Sequence, residues 1–596
     1  MKDFFKYVFA TVVGIIVVGL LWTIMMIVSI IGMANAGSSV PVPKDGVLVI
    51  QLDGSIEERA QDNPLASLIG NSALTSTGLD EMLRAIRNAK ENEDIKGIYI
   101  EAGSLSGATP AALQETRQAL VDFKTSDKFI VSYGDQYTQG SYYLCSVADS
   151  IIINPQGILD WKGLAMQTMY YKDLLDKVGV KMEIFKVGTY KSAVEPYFLN
   201  EMSDANREQI TVFSEEIWKQ MLADVAKSRK LKTDKLDAMT DSALTFAEPQ
   251  LYKKLKLVDK LAYSDEVPRI IANMMKSDKE NPHDAYNTIN VSNLAANTAN
   301  SPKGTSGNII AVYYAYGTIV DEASTGFSTD AEIIASKVCK DLKELADNDD
   351  VKAVVLRVNS PGGSAFASEQ IWHQVMNIKA KKPIVVSMGG YAASGGYYIS
   401  CAADWIVAEP TTLTGSIGIF GTFPVASELL NNKLGVHFST VKTNEFADFG
   451  DFSREMSEGE KNALQGYVNR GYELFTKRCA DGRKMKQDDI KAIAEGRVWS
   501  GEHAKQIGLV DQLGNLEDAI AEAKKRAKED DCSVLAYPAK PNILDNLFNE
   551  LNGSSYADAQ LHEALGDFYN VFRQIQHIDR RGNVQAELPY YIIYNL

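Results

Sequence analysis

Two short segments of this 596-residue chain hold residue types able to build a nucleophile. The segment YAASGGYY (Tyr391–Tyr398) sets Ser394 among small residues. The segment KVGTYKSAVEPYF (Lys186–Phe198) sets Lys191 among Tyr190, Ala193, Val194 and Tyr197. A serine hydroxyl is a weak nucleophile until a neighbouring base takes its proton. A lysine can be that base where burial holds its amine neutral. Taken singly, Ser394 reads equally well as a helix N-cap, and Lys191 reads as an ordinary solvated side chain.

Histidine is the commoner partner of a serine nucleophile, and the chain has six. His283 lies in a polar stretch and His562 and His577 near the C-terminus; His373 and His503 fall in helix-like patterns and His437 in a strand pattern. None carries a recognisable catalytic motif, so a Ser-His-Asp triad has no support. Two further loops could serve acyl transfer. NSPGGS (Asn359–Ser364) ends an apolar run, and the N–H groups of Gly362 and Gly363 are candidate oxyanion donors. A plain strand-to-helix turn is the alternative. TLTGSIGIFGTFP (Thr412–Pro424) carries Ser416, either an orienting partner for the lysine or an ordinary turn serine.

The elements that must position these residues emerge from an internal repeat. Gly46–Glu58 matches Asn308–Glu322, Asp94–Gly107 matches Asp350–Gly363, Lys128–Pro155 matches Lys382–Pro410, and Val178–Ala193 matches Leu434–Asp448. The copies stand roughly 255 residues apart. With Tyr142-Tyr143 laid on Tyr397-Tyr398, Gln139 falls opposite Ser394; with Gly179 laid on Gly435, Ala447 falls opposite Lys191. Each half therefore keeps one partner and has lost the other. That complementary loss joins two weak signals into one and predicts a single site per chain, shared by both halves.

Apolar strands alternate with helical segments such as Thr77–Asn92 and Asp330–Asp347, where apolar residues recur at i, i+3 and i+4. This predicts an α/β fold with largely parallel pairing, as a tandem duplication. The predicted organisation is an N-terminal segment with a membrane anchor (1–37), a first repeat carrying the lysine (45–275), a linker rich in Asn, Ser, Asp and Lys (276–307), a second repeat carrying the serine (308–540) and a helical tail (541–596). Within the tail, Ala557–Ile578 has an amphipathic pattern.

Tyr7–Met33 carries no charge and makes about 40 Å of helix, enough to span a bilayer. Lys2 and Lys6 precede it and no basic residue follows until Lys44, which puts the N-terminus in the cytoplasm. Ala34-Asn35-Ala36 resembles a signal-peptide cleavage site, but the apolar stretch is about twice a signal core, which favours a retained anchor. The net charge of −16 argues against a nucleic-acid partner. Five scattered cysteines suggest neither zinc nor a disulfide framework, and no metal or cofactor is expected.

Taken together, the Asn-Ser-Pro-Gly-Gly loop, the Ala-Ser-Gly-Gly-Tyr-Tyr turn, the Thr-Gly-Ser-Ile-Gly segment and the Thr-Tyr-Lys-Ser-Ala segment resemble the signal peptide peptidase A family, in its double-length form, over roughly residues 1–540. The resemblance implies a Clp-protease/crotonase-like fold and a Ser394–Lys191 dyad drawn from both halves. It also implies a homotetramer facing the periplasm from the inner membrane, and peptide substrates that are remnant signal peptides. Two other classes share parts of the pattern. A crotonase-type acyl-thioester enzyme would use the oxyanion loop without needing the serine–lysine pair. A catalytically dead membrane scaffold would need neither.

Overall fold

The computed structural model describes residues 40–60, 76–297, 304–323, 331–540 and 584–587, together with isolated helical positions 14, 18, 19 and 25. The expected anchor at Tyr7–Met33 and the amphipathic stretch Ala557–Ile578 thus lie almost wholly outside the described residues. Among the described residues no helix is long and apolar enough to cross a membrane.

Near-continuous apolar runs make the central strands of the first repeat, as expected where both sheet faces are covered. They are β1 (Gly46–Gln51), β2 (Ile95–Ala102), β3 (Phe129–Tyr137) and β4 (Ser150–Leu159), followed by β5 (Lys181–Lys186), β6 (Lys260–Leu261) and β7 (Asn287–Asn290). All but β5 join one parallel sheet in the order β7-β1-β2-β3-β4-β6.

The second repeat builds the same arrangement. Its strands are β8 (Ile309–Tyr316), β9 (Thr318–Val320), β10 (Glu332–Ile334), β11 (Val351–Ser360), β12 (Gly362–Ser364), β13 (Ile384–Ala393), β14 (Leu413–Gly415), β15 (Phe420–Val425), β16 (Val498–Ser500) and β17 (Ser533–Tyr537). The main path of its eight-stranded sheet runs β16-β14-β13-β11-β8-β17, and two further strands branch from it, Trp405–Ala408 parallel to β13 and Gln512–Leu513 parallel to Trp405–Ala408. Helices α1 (Leu79–Glu91) and α2 (Pro110–Phe123) in the first repeat, and α3 (Ala335–Asp347) and α4 (Ala365–Lys379) in the second, present apolar faces to these sheets.

A third sheet joins the halves. Its order is β10-β9-β12-β18-β15-β5, where β18 is Val584–Glu587. Here β5 of the first repeat runs antiparallel to β15 of the second, with Phe420 opposite Lys186 and Val425 opposite Lys181. The first repeat's core also takes in Ala393, Leu413 and Val498 from the second. Between the halves Arg357 is buried, donating to Glu58 at 2.9 and 3.2 Å and to Glu115 at 2.7 Å.

Some expectations change. The helix expected over Thr77–Asn92 starts at Leu79, and the one over Asp330–Asp347 starts at Ala335. In each case the preceding residues pair as a short strand, Ser76–Gly78 with Gly54–Glu57 and β10 with β9. The polar stretch expected as a linker holds β7, parallel to β1, and the helix Val291–Ala296. An edge strand buries little, and in β7 only Ile289 does so, which is why composition concealed it. Leu434–Asp448 matches the β5 segment in sequence, yet residues 435–442 form no strand and are exposed.

Candidate active site

Ser394 sits where β13 gives way to the short helix Gly395–Ser400. Its φ of 52° and ψ of −112° are unusual for a residue with a side chain. Such strain holds only where surroundings over-determine it. The Ser394 N–H donates to Gly415 O at 2.9 Å, and its carbonyl accepts from the Tyr398 N–H at 2.8 Å. At Gly396 a Cβ would stand 2.7 Å from Ser360 O, so the turn packs tightly on the end of β11. The hydroxyl makes no N-capping bond, which removes the helix-cap explanation of this serine.

The hydroxyl faces a lysine instead. Lys191 Nζ lies 2.8 Å from Ser394 Oγ, 3.1 Å from Ser416 Oγ and 3.3 Å from Ser416 O. Ser394 Oγ also donates to Gly418 O at 3.4 Å. All three side chains are fully buried. A solvated lysine is therefore not what the fold makes of Lys191. The ring of Phe420 lies under the amine, 5.8 Å from Nζ to its centre.

The strand pairing explains how residues so distant in sequence meet. In the antiparallel β5–β15 pair, the chain leaving β5 and the chain entering β15 lie at the same end. Lys191 follows β5 by five residues and Ser416 precedes β15 by four, so the register sets one against the other. A turn at Glu495–Arg497 then clamps both loops. The Tyr190 N–H donates to Glu495 O at 2.9 Å, the Ser416 N–H to Arg497 O at 2.7 Å, and the Gly496 N–H to Ile417 O at 2.9 Å.

Gln209, on the helix Asp204–Arg229, adds a further brace. Its Nε2 donates to Tyr190 O at 3.1 Å and Ser192 Oγ at 3.0 Å, while its Oε1 accepts from the Val498 N–H at 3.1 Å. The sequence singled out neither Gln209 nor the 495–497 turn. Their contribution runs mainly through backbone contacts, which leave little mark on residue type. A glycine in the dipeptide Glu495-Gly496 was the only available signal.

Of the two oxyanion candidates, Gly362 donates its N–H to Ser360 Oγ at 3.1 Å, which folds the loop on itself. Gly363 has a φ of 153°, and a Cβ there would stand 2.0 Å from Ile319 O, so no side chain fits. Ser364 caps α4 through the Ala367 N–H at 3.2 Å. The counterpart positions hold no second pair. Gln139 Oε1 accepts from the Lys162 and Gly163 N–H groups, both at 3.0 Å, and Ala447 lies on an exposed turn. His503 contacts Glu216 at 3.2 Å and His437 is exposed in an irregular segment.

Comparisons with known proteins agree with this architecture. The family model "Peptidase family S49" matches twice, at residues 122–279 and 377–530, and a Clp protease model matches residues 312–408. Protease 4 of Salmonella typhi is 36% identical over 543 residues, 89% of this chain and 86% of that protein. Protease 4 of Haemophilus influenzae is 33% identical over 590 residues, covering 94% and 92%. The chloroplastic serine protease SPPA of Arabidopsis thaliana is 28% identical, covering 82% and 70%. A duplicated peptidase domain on a Clp-protease-like α/β fold therefore accounts for most of the sequence, and the chain belongs to peptidase family S49 as a serine protease.

Proposed function

We propose that this peptidase is a membrane-anchored endopeptidase that uses Ser394 as nucleophile and Lys191 as general base to degrade remnant signal peptides. The observation that carries this reading is the 2.8 Å contact between Lys191 Nζ and Ser394 Oγ, with Ser416 holding the amine from a second side. In the mechanism, neutral Lys191 takes the serine proton as Oγ attacks a peptide carbonyl. The resulting ammonium then protonates the leaving amine, and water hydrolyses the acyl-enzyme. The N–H groups of Gly362 and Gly363 are the proposed oxyanion donors, with that of Gly395, next after the nucleophile, as a third; in the resting structure the Gly362 N–H donates to Ser360 Oγ. A crotonase-type reaction leaves the serine–lysine pair without a task.

Anchoring in the inner membrane with the catalytic part in the periplasm rests on the uncharged stretch Tyr7–Met33 and the lysines before it. Assembly as a homotetramer is supported by exposed apolar side chains, among them Val441 at 97%, Leu434 at 61% and Phe438 at 52%. These lie in the segment that is the second repeat's counterpart of β5. Residues 164–169, the first repeat's counterpart of β15, likewise form no strand. Each repeat thus offers one half of a β5–β15-like pair, which a second copy is suited to complete.

The test is a fluorophosphonate probe on the full chain. Labelling is expected in the wild type and lost in both Ser394→Ala and Lys191→Ala. Equal labelling of all three proteins sinks the dyad, and the same samples in light scattering report the tetramer.

A further inference from the structure

Three side chains near the lysine loop close a ring of hydrogen bonds. Arg497 Nη1 donates to Tyr190 Oη at 3.0 Å and Nη2 to Glu208 Oε1 at 2.8 Å, while the Tyr190 hydroxyl donates to Glu208 Oε2 at 3.2 Å. The Arg497 guanidinium also lies over two aromatic rings, 4.6 Å from the centre of Tyr190 and 4.5 Å from that of Trp499. Each member comes from a different element. Tyr190 is in the loop after β5, Glu208 is on the helix Asp204–Arg229, and Arg497 is in the turn before β16.

Two members of the ring adjoin residues that touch the lysine. Tyr190 immediately precedes Lys191. Gly496, next to Arg497, packs on the Lys191 backbone. A Cβ on Gly418 would stand 3.0 Å from Gly496 Cα and 3.3 Å from Lys191 Cδ, so Gly418 closes on both the turn and the lysine stem. Whatever fixes the turn at 495–497 therefore fixes the path of the stem.

The duplication separates this ring from the general scaffold. With Leu257-Val258-Asp259 laid on Leu509-Val510-Asp511, Thr245 falls opposite Arg497. The helices Asp204–Arg229 and Glu458–Arg483, equal in length, put Asn462 opposite Glu208. Gly179 laid on Gly435 puts Phe446 opposite Tyr190, beside Ala447 opposite Lys191. The set of positions that lacks the lysine thus lacks the guanidinium, the carboxylate and the phenolic hydroxyl too. A tie that served only to join packed elements has no reason to vanish with the lysine.

We infer that Arg497, Tyr190 and Glu208 are positioning residues for the reaction at Ser394: their ring locks the lysine loop to the 495–497 turn and holds the Lys191 amine in place against the serine. This rests on the reading of Ser394 and Lys191 as the catalytic pair. A loosened loop misaligns the amine, and the rate falls. It also lets water reach the amine, and a hydrated ammonium is favoured over a buried one, so the base works only at higher pH.

The experiment puts the counterpart residues into the full-length protein as Tyr190→Phe, Glu208→Asn and Arg497→Thr. For each variant, kcat and KM for an extended fluorogenic peptide are measured as a function of pH. We expect kcat at neutral pH to fall about tenfold with KM within about twofold of the wild type. The ascending limb of kcat/KM is expected to move up by about one pH unit. Arg497→Lys keeps the charge opposite Glu208 without the two-pronged guanidinium, and should recover part of the loss. Tyr190→Phe removes only a hydroxyl, so it decides the matter should Arg497→Thr fail to fold. Unchanged kcat, or an equal loss at every pH with the limb in place, overturns the inference. Fluorophosphonate labelling separates the two readings. If labelling of Ser394 requires Lys191 while the ring variants keep the wild-type limb, the ring inference fails and the dyad stands. If labelling survives Lys191→Ala, the dyad reading fails first.

Discussion

Gly496 lies directly against the backbone of Lys191: a Cβ at position 496 would stand 2.6 Å from Lys191 Cβ and 2.7 Å from its Cα and N. Its φ of +78° disfavours any side chain as well. The Gly496→Ala substitution must therefore push the lysine loop away from Ser394. Displacement by about 1 Å costs on the order of 100-fold in rate. We expect kcat/KM for a peptide substrate to drop by about that factor while far-UV circular dichroism keeps its wild-type form. Activity within twofold of the wild type would show that the clamp is dispensable.

Ser416 tests the second contact to the amine. In Ser416→Ala, Lys191 keeps Ser394 Oγ and Ser416 O but loses the hydroxyl at 3.1 Å. One hydrogen bond of this kind contributes about 1 kcal/mol, which is roughly a fivefold to tenfold change. We expect kcat to fall by that amount with KM unmoved, read by steady-state kinetics. A loss as complete as that of Ser394→Ala would make Ser416 an obligatory part of proton transfer.

The two repeats are tied by a buried ion cluster whose balance predicts stability. Arg357 from the second repeat faces Glu58 and Glu115 from the first, with all three carboxylate and guanidinium groups buried. Burial pushes the Glu58 carboxyl up, and Arg357 opposes that shift. Arg357→Ala leaves two carboxylates facing each other without their cation. Breaking a buried pair from one side costs about 3–5 kcal/mol. Urea denaturation is expected to show a loss of that size. An unchanged midpoint would mean that water enters the gap.

Glu409 carries a pH dependence in the same interface. Burial, with the nearby Glu115, raises its carboxyl from 4.5 to about 8; one oxygen accepts from Gln118 Nε2 at 2.9 Å and the other has no hydrogen-bond partner. The raised value means that the folded protein favours the protonated acid. Its contribution is fully present below pH 4.5 and is lost as pH rises to about 8. Stability of the wild type should fall across that window, measured by denaturant midpoints at pH 5 and pH 9. Glu409→Gln should flatten the fall. An equal fall in both proteins would assign it to other groups.

Much of this site was legible because duplication supplied an internal comparison. Ser394 opposite Gln139 and Ala447 opposite Lys191 mark the one residue that each half brings to the 2.8 Å contact, which no single motif could reveal. The strands were legible because buried parallel strands are apolar along their length. What stayed hidden was encoded in backbone. The turn at Glu495–Arg497 acts through carbonyl and amide groups, and Gly496 matters for the side chain it lacks. The β7 strand reads as polar linker because only one of its residues is buried. The β18 strand spans four residues and joins partners more than 150 positions away, beyond the reach of any local pattern.

The 203-residue separation between Lys191 and Ser394 within one chain also has a genetic meaning. A chain mutated at Lys191 and another mutated at Ser394 each spoil their own pair. Mixed in one cell, the two alleles should fail to complement, even inside a shared oligomer. Joined on one gene, the two halves therefore form a single cistron in the strict sense, and neither can be inherited usefully without the other.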